Sequence, residues 1–580
     1  MPIPLERARA MLAEFETTQV ANLFAQAHAK HVLYEVRELP SNFPTFDPNL
    51  DDKVTFAGYG LLAAGCSIVE QGDRGTGASA LERGASLLQY VHSPLTTESR
   101  ESAFHVFVAA MAFYAGGHYS RAFVAMRAVE EQTMAARIIS AFLRKETSPL
   151  IERLNAVLLR DAPQFDDQAD LDEWAITLAI ARAVAVTVEF TFIGTADVLI
   201  LADEQLRDAA VVAANGGHPA WWWVVRLLRL MIADLGDASP WRVLSPHFGP
   251  DSEDALRRYV RLLAFAARPV TELWASQRAA LPLALDRTNR GAVINLRTSA
   301  GKTRVAELAI LQTILAEPTA RIFYLAPFRS LALEVEQTLS ATFRWMGYGV
   351  SHLYGGSRAS SVDTELASES TITIATPEKA RGLFRAAPEF FGNVKLLIVD
   401  EGHLIGPSER YVRNEVFIDH LRRLARATNT RVLLLSAVLP NPQELAEWIT
   451  GDPTAVASSS WKPSAERFGL LRWNGSRVRI EWQGEVPSFN PSFVESRPLG
   501  FGRRRKPFPC DKNEAVAATA VRLSAVGPVM IFTGRAVSVP TLVEAVLLAG
   551  GRESALRPAN LNRLSGIDRP LHIQVFTTPT

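Results

Sequence analysis

The chain has 580 residues, 61 basic and 61 acidic side chains, zero formal net charge and 48% hydrophobic content. Its length exceeds what a single core supports and implies about two to four domains, while the charge balance excludes a global basic field, leaving nucleic-acid binding to a local groove. The two cysteines, Cys66 and Cys510, exclude a disulfide framework and a thiolate metal cluster.

The opening stretch, MPIPLERARAMLAEFE, is charged and helix-like and lacks a secretory apolar core. Residues 1–255 read as an all-α region rich in Ala, Leu and Arg. Within it, Ala103 to Ala125 resembles a tetratricopeptide unit, with two helices meeting at Gly116-Gly117 and with Tyr119 and Ala122 in small-residue packing positions. A looser relative spans Phe56 to Tyr90, with a break expected near Gly75 and Gly77; two ordinary helical hairpins explain both segments equally well. The apolar stretch Ala175 to Leu201 contains Arg182, Glu189 and Asp197 and reads as buried helix rather than a membrane span, so a cytoplasmic location is expected. Trp221-Trp222-Trp223 reads as core packing, because three adjacent positions cannot share one helix face.

Residues 256–458 change character. Short β-branched runs, Ala292 to Leu296, Arg321 to Leu325, Thr371 to Ala375, Lys395 to Val399 and Arg431 to Leu435, alternate with helical segments. Near-continuous apolar strands between helices imply an α/β fold, a parallel sheet covered on both faces. The first strand runs into GAVINLRTSAGKT, Gly291 to Thr303, and a helical pattern follows. Strand, small-residue turn and helix in that order suit a phosphate-binding loop. Backbone N–H groups from Thr298, Ser299, Ala300 and Gly301 to Arg304 would cradle phosphate oxygens. Lys302 would reach the β- and γ-phosphates, and the Thr303 hydroxyl would ligate Mg²⁺. The full pattern asks for Gly where this chain has Leu296, and alone the segment reads equally well as a bystander turn.

Asp400-Glu401-Gly402-His403 ends the fourth of these runs, where ligands bind in parallel sheets. Asp400 would hold Mg²⁺, directly or through water, and Glu401 would orient and deprotonate the attacking water. Ser436, ending the fifth run, would relay the γ-phosphate state by bonding His403 or Asp400.

Taken in order, RTSAGKT, LAPFRSLA, YGGSR, TPEK, DEGH and LSAVLPN resemble the first motor domain, RecA-like, of a superfamily 2 nucleic-acid helicase, closest to the Ski2-like DExH branch. The resemblance covers Trp274 to Trp448. It implies ATP and Mg²⁺ as cofactors and Gln277 as the reader of the adenine edge. It also implies that the segments of Pro327 and Arg329, Gly355 and Gly356, and Thr376 and Pro377 hold a nucleic-acid backbone. DNA is favoured over RNA as the partner.

Residues 459–512 read as a connector containing a basic run, Arg503 to Lys506. Residues 513–580 resemble the start of a second RecA-like domain, with strand PVMIFT and with Phe532, Thr533 and Gly534 at the family's next motif. No Gln-x-x-Gly-Arg-x-x-Arg segment follows, and Arg552, Arg557, Arg563 and Arg569 lie in no such context. An arginine finger contributes roughly 10³ to 10⁵ in rate, so the chain is expected to be incomplete at this end and, by itself, deficient in hydrolysis. A motor of this kind behind a helical, repeat-like region resembles helicases of anti-phage defence systems, Hachiman-type systems among them. DNA repair is the alternative, and the helical region is a candidate dock for a protein partner. A non-catalytic ATP- and nucleic-acid-binding module remains the second reading of the chain.

Overall fold

A computed structural model describes residues 3–35, 45–91, 100–127, 129, 133–161, 163–353, 360–406, 408–464, 468–482, 492–499, 506–524, 528–532, 538–550 and 572–575. The chain divides into two compact units, Glu131–Ser464 and a second comprising Met1–Glu130 with Ala465–Thr580.

In Met1–Glu130, helix Leu50–Glu70 is followed by Arg74–Val91, and Arg100–Ala115 by Tyr119–Arg127. The second hairpin turns at Gly116-Gly117 as its sequence implies, and Tyr119 and Ala122 are buried. The first turns elsewhere. The break falls at Gln71–Asp73, and Gly75 and Gly77 lie inside the following helix. Gly77 is a packing position: a Cβ there would sit 3.0 Å from the Gly65 carbonyl oxygen and 2.4 Å from a Val69 methyl. Glycine here lets two helix backbones touch, and that use is indistinguishable in sequence from a turn.

In Ala465–Thr580, three strands lie within the expected connector. Gly469–Trp473, Arg477–Trp482 and Ser492–Glu495 form an antiparallel sheet around Val478, Ile480, Phe493 and Val494. Further on, Val529–Phe532 pairs antiparallel with His572–Val575, flanked by helices Lys512–Leu523 and Val539–Ala549. Among the described residues of this part no parallel pair forms. Thr533, Gly534, Arg503 to Arg505 and the four late arginines lie outside the described residues.

In Glu131–Ser464, the helices between Met134 and Ala264 belong to the same compact unit as the sheet, although composition groups them with the N-terminal region. The apolar stretch 175–201 is broken at Gly194, a left-handed C-cap ending helix Gln168–Ile193. By length and composition this helix could cross a membrane. Its Ile176, Ile180, Val184 and Thr187 are buried within the fold. Trp221 to Trp223 are half-buried, and Trp222 carries the Arg226 guanidinium 5.1 Å from its ring centre.

The sheet has seven parallel strands: β1 Gly291–Leu296, β2 Arg321–Leu325, β3 Val350–His352, β4 Ile372–Ala375, β5 Val394–Val399, β6 Arg431–Ser436 and β7 Val456–Ser459. Their order is β3-β4-β2-β5-β6-β1-β7. Five are the apolar runs of the sequence. The edge strands β3 and β7 are short and contain Ser or His, the composition that edges tolerate and that hides them from a hydrophobicity reading. Both faces are buried, and side chains alternate between them. Ile322, Tyr324, Leu396, Ile398, Leu433 and Leu435 face one layer of helices, and Phe323, Leu325, Leu397, Val399, Val432 and Leu434 face the other.

On the first face, helix Lys302–Ala316 packs against β5 and β6 and is tied to helix Glu253–Ala264 by a buried polar cluster. Arg304 donates to Glu307 Oε2 at 2.6 Å, and the fully buried Tyr259 hydroxyl donates to Glu307 Oε1 at 3.1 Å. Burial opposes the Arg304 charge, but Glu307 and Tyr259 outweigh it and raise the guanidinium further. We expect Glu307→Ala, which leaves Arg304 uncompensated, to destabilise this unit by about 3–5 kcal/mol in urea unfolding, far more than an exposed ion-pair deletion.

Candidate nucleotide site and nucleic-acid edge

The register aligns the strand ends. Leu325 pairs with both Ala375 and Val399, and Asn295 pairs with Ser436. Every loop discussed below therefore leaves the sheet on its C-terminal edge.

The phosphate loop follows β1. Ser299 is left-handed at φ +63°, Gly301 follows at φ +88°, and the helix begins at Lys302. Two consecutive turns of this kind aim the loop's N–H groups inward, at the positive end of a helix. Gly301 is required twice over: its φ is left-handed, and a Cβ would meet Gln277 Nε2 at 2.1 Å.

Gln277 and Ser276 brace the loop from behind. Ser276 Oγ donates to the Ala300 carbonyl at 2.8 Å, and Gln277 Nε2 to the Gly301 carbonyl at 3.5 Å, while Gln277 Oε1 accepts from Trp274 N–H at 2.8 Å. The structure thus joins Gln277 to the loop backbone. Arg304 belongs to the cluster beneath the helix, with its guanidinium on Glu307 and Tyr259, so only its backbone lies at the helix start.

A continuous polar chain crosses from β1 to β6. Lys302 Nζ donates to Glu401 Oε1 at 3.1 Å; Glu401 Oε2 lies 3.2 Å from His403 Nδ1; that nitrogen lies 3.0 Å from Ser436 Oγ. The structure selects His403, not Asp400, as the contact of Ser436. Glu401 sits at φ +48°, which turns the chain sharply at the strand end.

Asp400 is 8% exposed. Its Oδ2 accepts from the Tyr324 hydroxyl at 2.7 Å and its Oδ1 from the Glu401 N–H at 2.8 Å. Burial raises its pKa above the usual carboxylate value, Tyr324 works against that, and the Glu401 charge adds to it. No ion pair to Asp400 forms among the described residues. A buried carboxylate without a cation, next to a lysine and a hydroxyl at a helix start, is a donor set that suits Mg²⁺ carried by a nucleotide triphosphate. Lys302, Thr303 and Asp400 would hold that group. Sequence reasoning misses Tyr324 because RIFYL reads as uniform strand; the one signal is a polar-tipped aromatic in the penultimate position of β2.

The expected backbone-gripping segments leave the other half of the sheet. Pro327 is buried and its carbonyl accepts from Arg410 at 3.1 Å; Arg410 also pairs with Glu378 at 3.3 Å and lies over the Phe328 ring at 5.3 Å. Arg329 is exposed at the start of helix Arg329–Phe343. Thr376 caps helix Pro377–Ala386, accepting from the Lys379 N–H at 3.4 Å. Gly355 and Gly356 lie outside the described residues. Beneath this cap Lys379 Nζ pairs with Asp363 at 2.7 Å, both buried. Burial pushes the Asp363 carboxyl up, but Lys379 and Ser360 outweigh it and hold it below its ordinary value.

Two outcomes follow from this geometry. Gly301→Ala should cost about 1–2 kcal/mol of stability for the left-handed backbone alone and weaken nucleotide binding more than tenfold, read by fluorescent-nucleotide titration. A depressed carboxylate contributes stability above its unfolded pKa, about 3.9, that is lost as pH falls through its folded value. Lys379→Met should therefore destabilise strongly at pH 7 and by much less near pH 2, in urea unfolding at both.

Residues 274–445 match the model of the DEAD/DEAH box helicase family. Among similar proteins, the chain is 34% identical to "Hachiman protein HamB" of Bacillus cereus over 525 residues, covering 89% of this chain and 46% of that protein. It is 33% identical to "ATP-dependent DNA helicase Hel308" of Pyrococcus horikoshii over 224 residues, covering 38% of this chain and 29% of that one. A solved structure of the DUF1998 helicase MrfA bound to DNA and AMPPNP aligns over 52% of this chain and 38% of its own, at 19% identity and a TM-score of 0.37. The chain spans less than half the length of each of these relatives. Residues 274–445 therefore carry a DEAD/DEAH box helicase domain, and most of the chain is similar to the Hachiman protein.

Proposed function

We propose that this chain carries the ATP-binding half of a helicase or translocase that acts on nucleic acid in genome defence. The observation that carries the reading is the Lys302–Glu401–His403–Ser436 chain, which joins the phosphate loop to two further strand ends in one line of contacts. Lys302 would exchange Glu401 for the β- and γ-phosphates. Glu401, released, would orient and deprotonate the attacking water. His403 and Ser436 would register that exchange at β6. Bound Mg²⁺ would supply charge neutralisation of the phosphates, beside Thr303 and Asp400.

The loops after β2 and β4 would hold one strand's phosphates through helix N-termini, without reading bases. DNA is favoured over RNA because one relative is named a DNA helicase, and the defence role rests on the similarity to the Hachiman protein. The helical segments before residue 256 are the candidate dock for a protein partner.

A second reading is that this chain binds ATP and nucleic acid with little hydrolysis, supported by the lack of a Gln-x-x-Gly-Arg-x-x-Arg segment, the kind that supplies positive charge to a transferring phosphate, in its 580 residues. In a version extended to the length of the relatives, nucleic-acid-stimulated hydrolysis should appear and should fall at least a hundredfold in Lys302→Ala and in Glu401→Gln. The two variants should differ in binding: Lys302→Ala loses ATP, whereas Glu401→Gln retains it, as seen in a filter-binding assay. Unchanged hydrolysis in both variants would contradict the motor reading.

A further inference from the structure

Two carboxylates follow β5, and among the described residues one of them, Glu401, forms an ion pair with a lysine. Glu401 is held by Lys302, whereas Asp400 is deeper, bears no ion pair among the described residues, and still has to present an ionised edge to a metal. Its surroundings are built for this. Tyr324 lies on β2 directly opposite Ile398, two residues before Asp400. Because side chains alternate along a strand, Ile398 and Asp400 point to the same face, the face on which Tyr324 is packed among Ile322, Ile398 and Leu433. The Tyr324 ring is fully buried, so it cannot swing away, and its hydroxyl reaches Asp400 Oδ2 at 2.7 Å. The opposite oxygen takes the Glu401 N–H at 2.8 Å. One donor on each oxygen fixes the carboxylate plane and leaves each oxygen a lone pair.

We infer that Tyr324 is a positioning residue for the metal site: its hydroxyl fixes the orientation of the Asp400 carboxylate from beneath the sheet edge. It never touches nucleotide or metal. Its effect passes only through Asp400, so it acts on the Mg²⁺-dependent part of nucleotide binding and leaves the phosphate loop alone. This inference rests on the reading that Asp400 meets Mg²⁺.

The test is Tyr324→Phe, which removes one oxygen and keeps the ring. A fluorescent ATP analogue is titrated into the full chain in Mg²⁺ and, separately, in EDTA. For the unaltered chain we expect tighter binding in Mg²⁺; equal affinities would overturn the Mg²⁺ reading itself. For Tyr324→Phe we expect the Mg²⁺ affinity to weaken about tenfold, the size of one hydrogen bond to a charged group, with the EDTA affinity unchanged. Equal weakening in both media, or none in Mg²⁺, would overturn the positioning role.

Asp400→Asn provides the second arm. In that background the Tyr324→Phe effect on Mg²⁺ affinity should vanish, and a persisting tenfold loss would show that Tyr324 acts elsewhere. If Tyr324→Phe alone does not fold, the pair with Asp400→Asn decides. Recovery of the fold in the pair supports the hydroxyl's role on the buried charge, and continued unfolding shows that Tyr324 serves only packing.

Discussion

A parallel strand obliges the chain to cross back over a face of the sheet before the next strand begins, so all loops after the strands gather at one edge. Everything functional in the Glu131–Ser464 unit follows from that constraint. The phosphate loop, the Asp400–His403 turn, Ser436, Pro327–Arg329 and Thr376-Pro377 are scattered over about 140 residues of sequence and emerge side by side. Strand order then sorts them. β5, β6 and β1 are neighbours and carry the residues proposed for the nucleotide; β4 and β2 are neighbours and carry the segments proposed for backbone phosphates. β5 pairs with β2 on one side and β6 on the other, so the Asp-Glu turn stands between the two groups.

Charge at this edge is arranged so that a ligand exchanges partners rather than exposing a bare ion. At about 3 Å and an effective dielectric near 20, a Lys–Glu attraction is on the order of 5 kcal/mol before desolvation. On the proposed reading, a triphosphate would offer Lys302 more negative charge at similar range, so displacement of Glu401 would cost little and would free the carboxylate. Asp400 is different. It is buried with no ion pair among the described residues, and the Tyr324 hydroxyl and the Glu401 N–H, with the Lys302 charge adding to them, favour its ionised form. That imbalance marks where positive charge is wanted.

The same economy operates below the edge. Arg304, Glu307 and Tyr259 satisfy one another beneath the phosphate-loop helix, and Lys379 with Asp363 does so beneath the Thr376 cap. Arg431 forms no ion pair among the described residues, and the Asp286 charge offsets its burial only in part. Its guanidinium donates to the Ala284 and Asn289 carbonyls, tying the end of the Gln277 helix and the approach to β1 onto β6, and burial lowers its pKa to about 10. These buried groups cost desolvation, and the return is a loop whose supports are fixed before any ligand arrives.

The sequence by itself determined the parallel α/β class and five of the seven strands, and it named the residues proposed here for the nucleotide. Apolar strand runs and the motif order are local properties, written in consecutive residues. It could not locate the first hairpin's turn, because glycine serves helix contact and chain reversal alike. It could not see β3, β7 or the three strands after residue 468, whose composition is that of edges and small sheets. Partners were also beyond it. That Ser436 meets His403 rather than Asp400, that Arg304 turns to Glu307, and that Tyr324 holds Asp400 depend on which strands lie side by side. Strand order and register place residues 76 apart within 2.7 Å, and no local pattern encodes that neighbour relation.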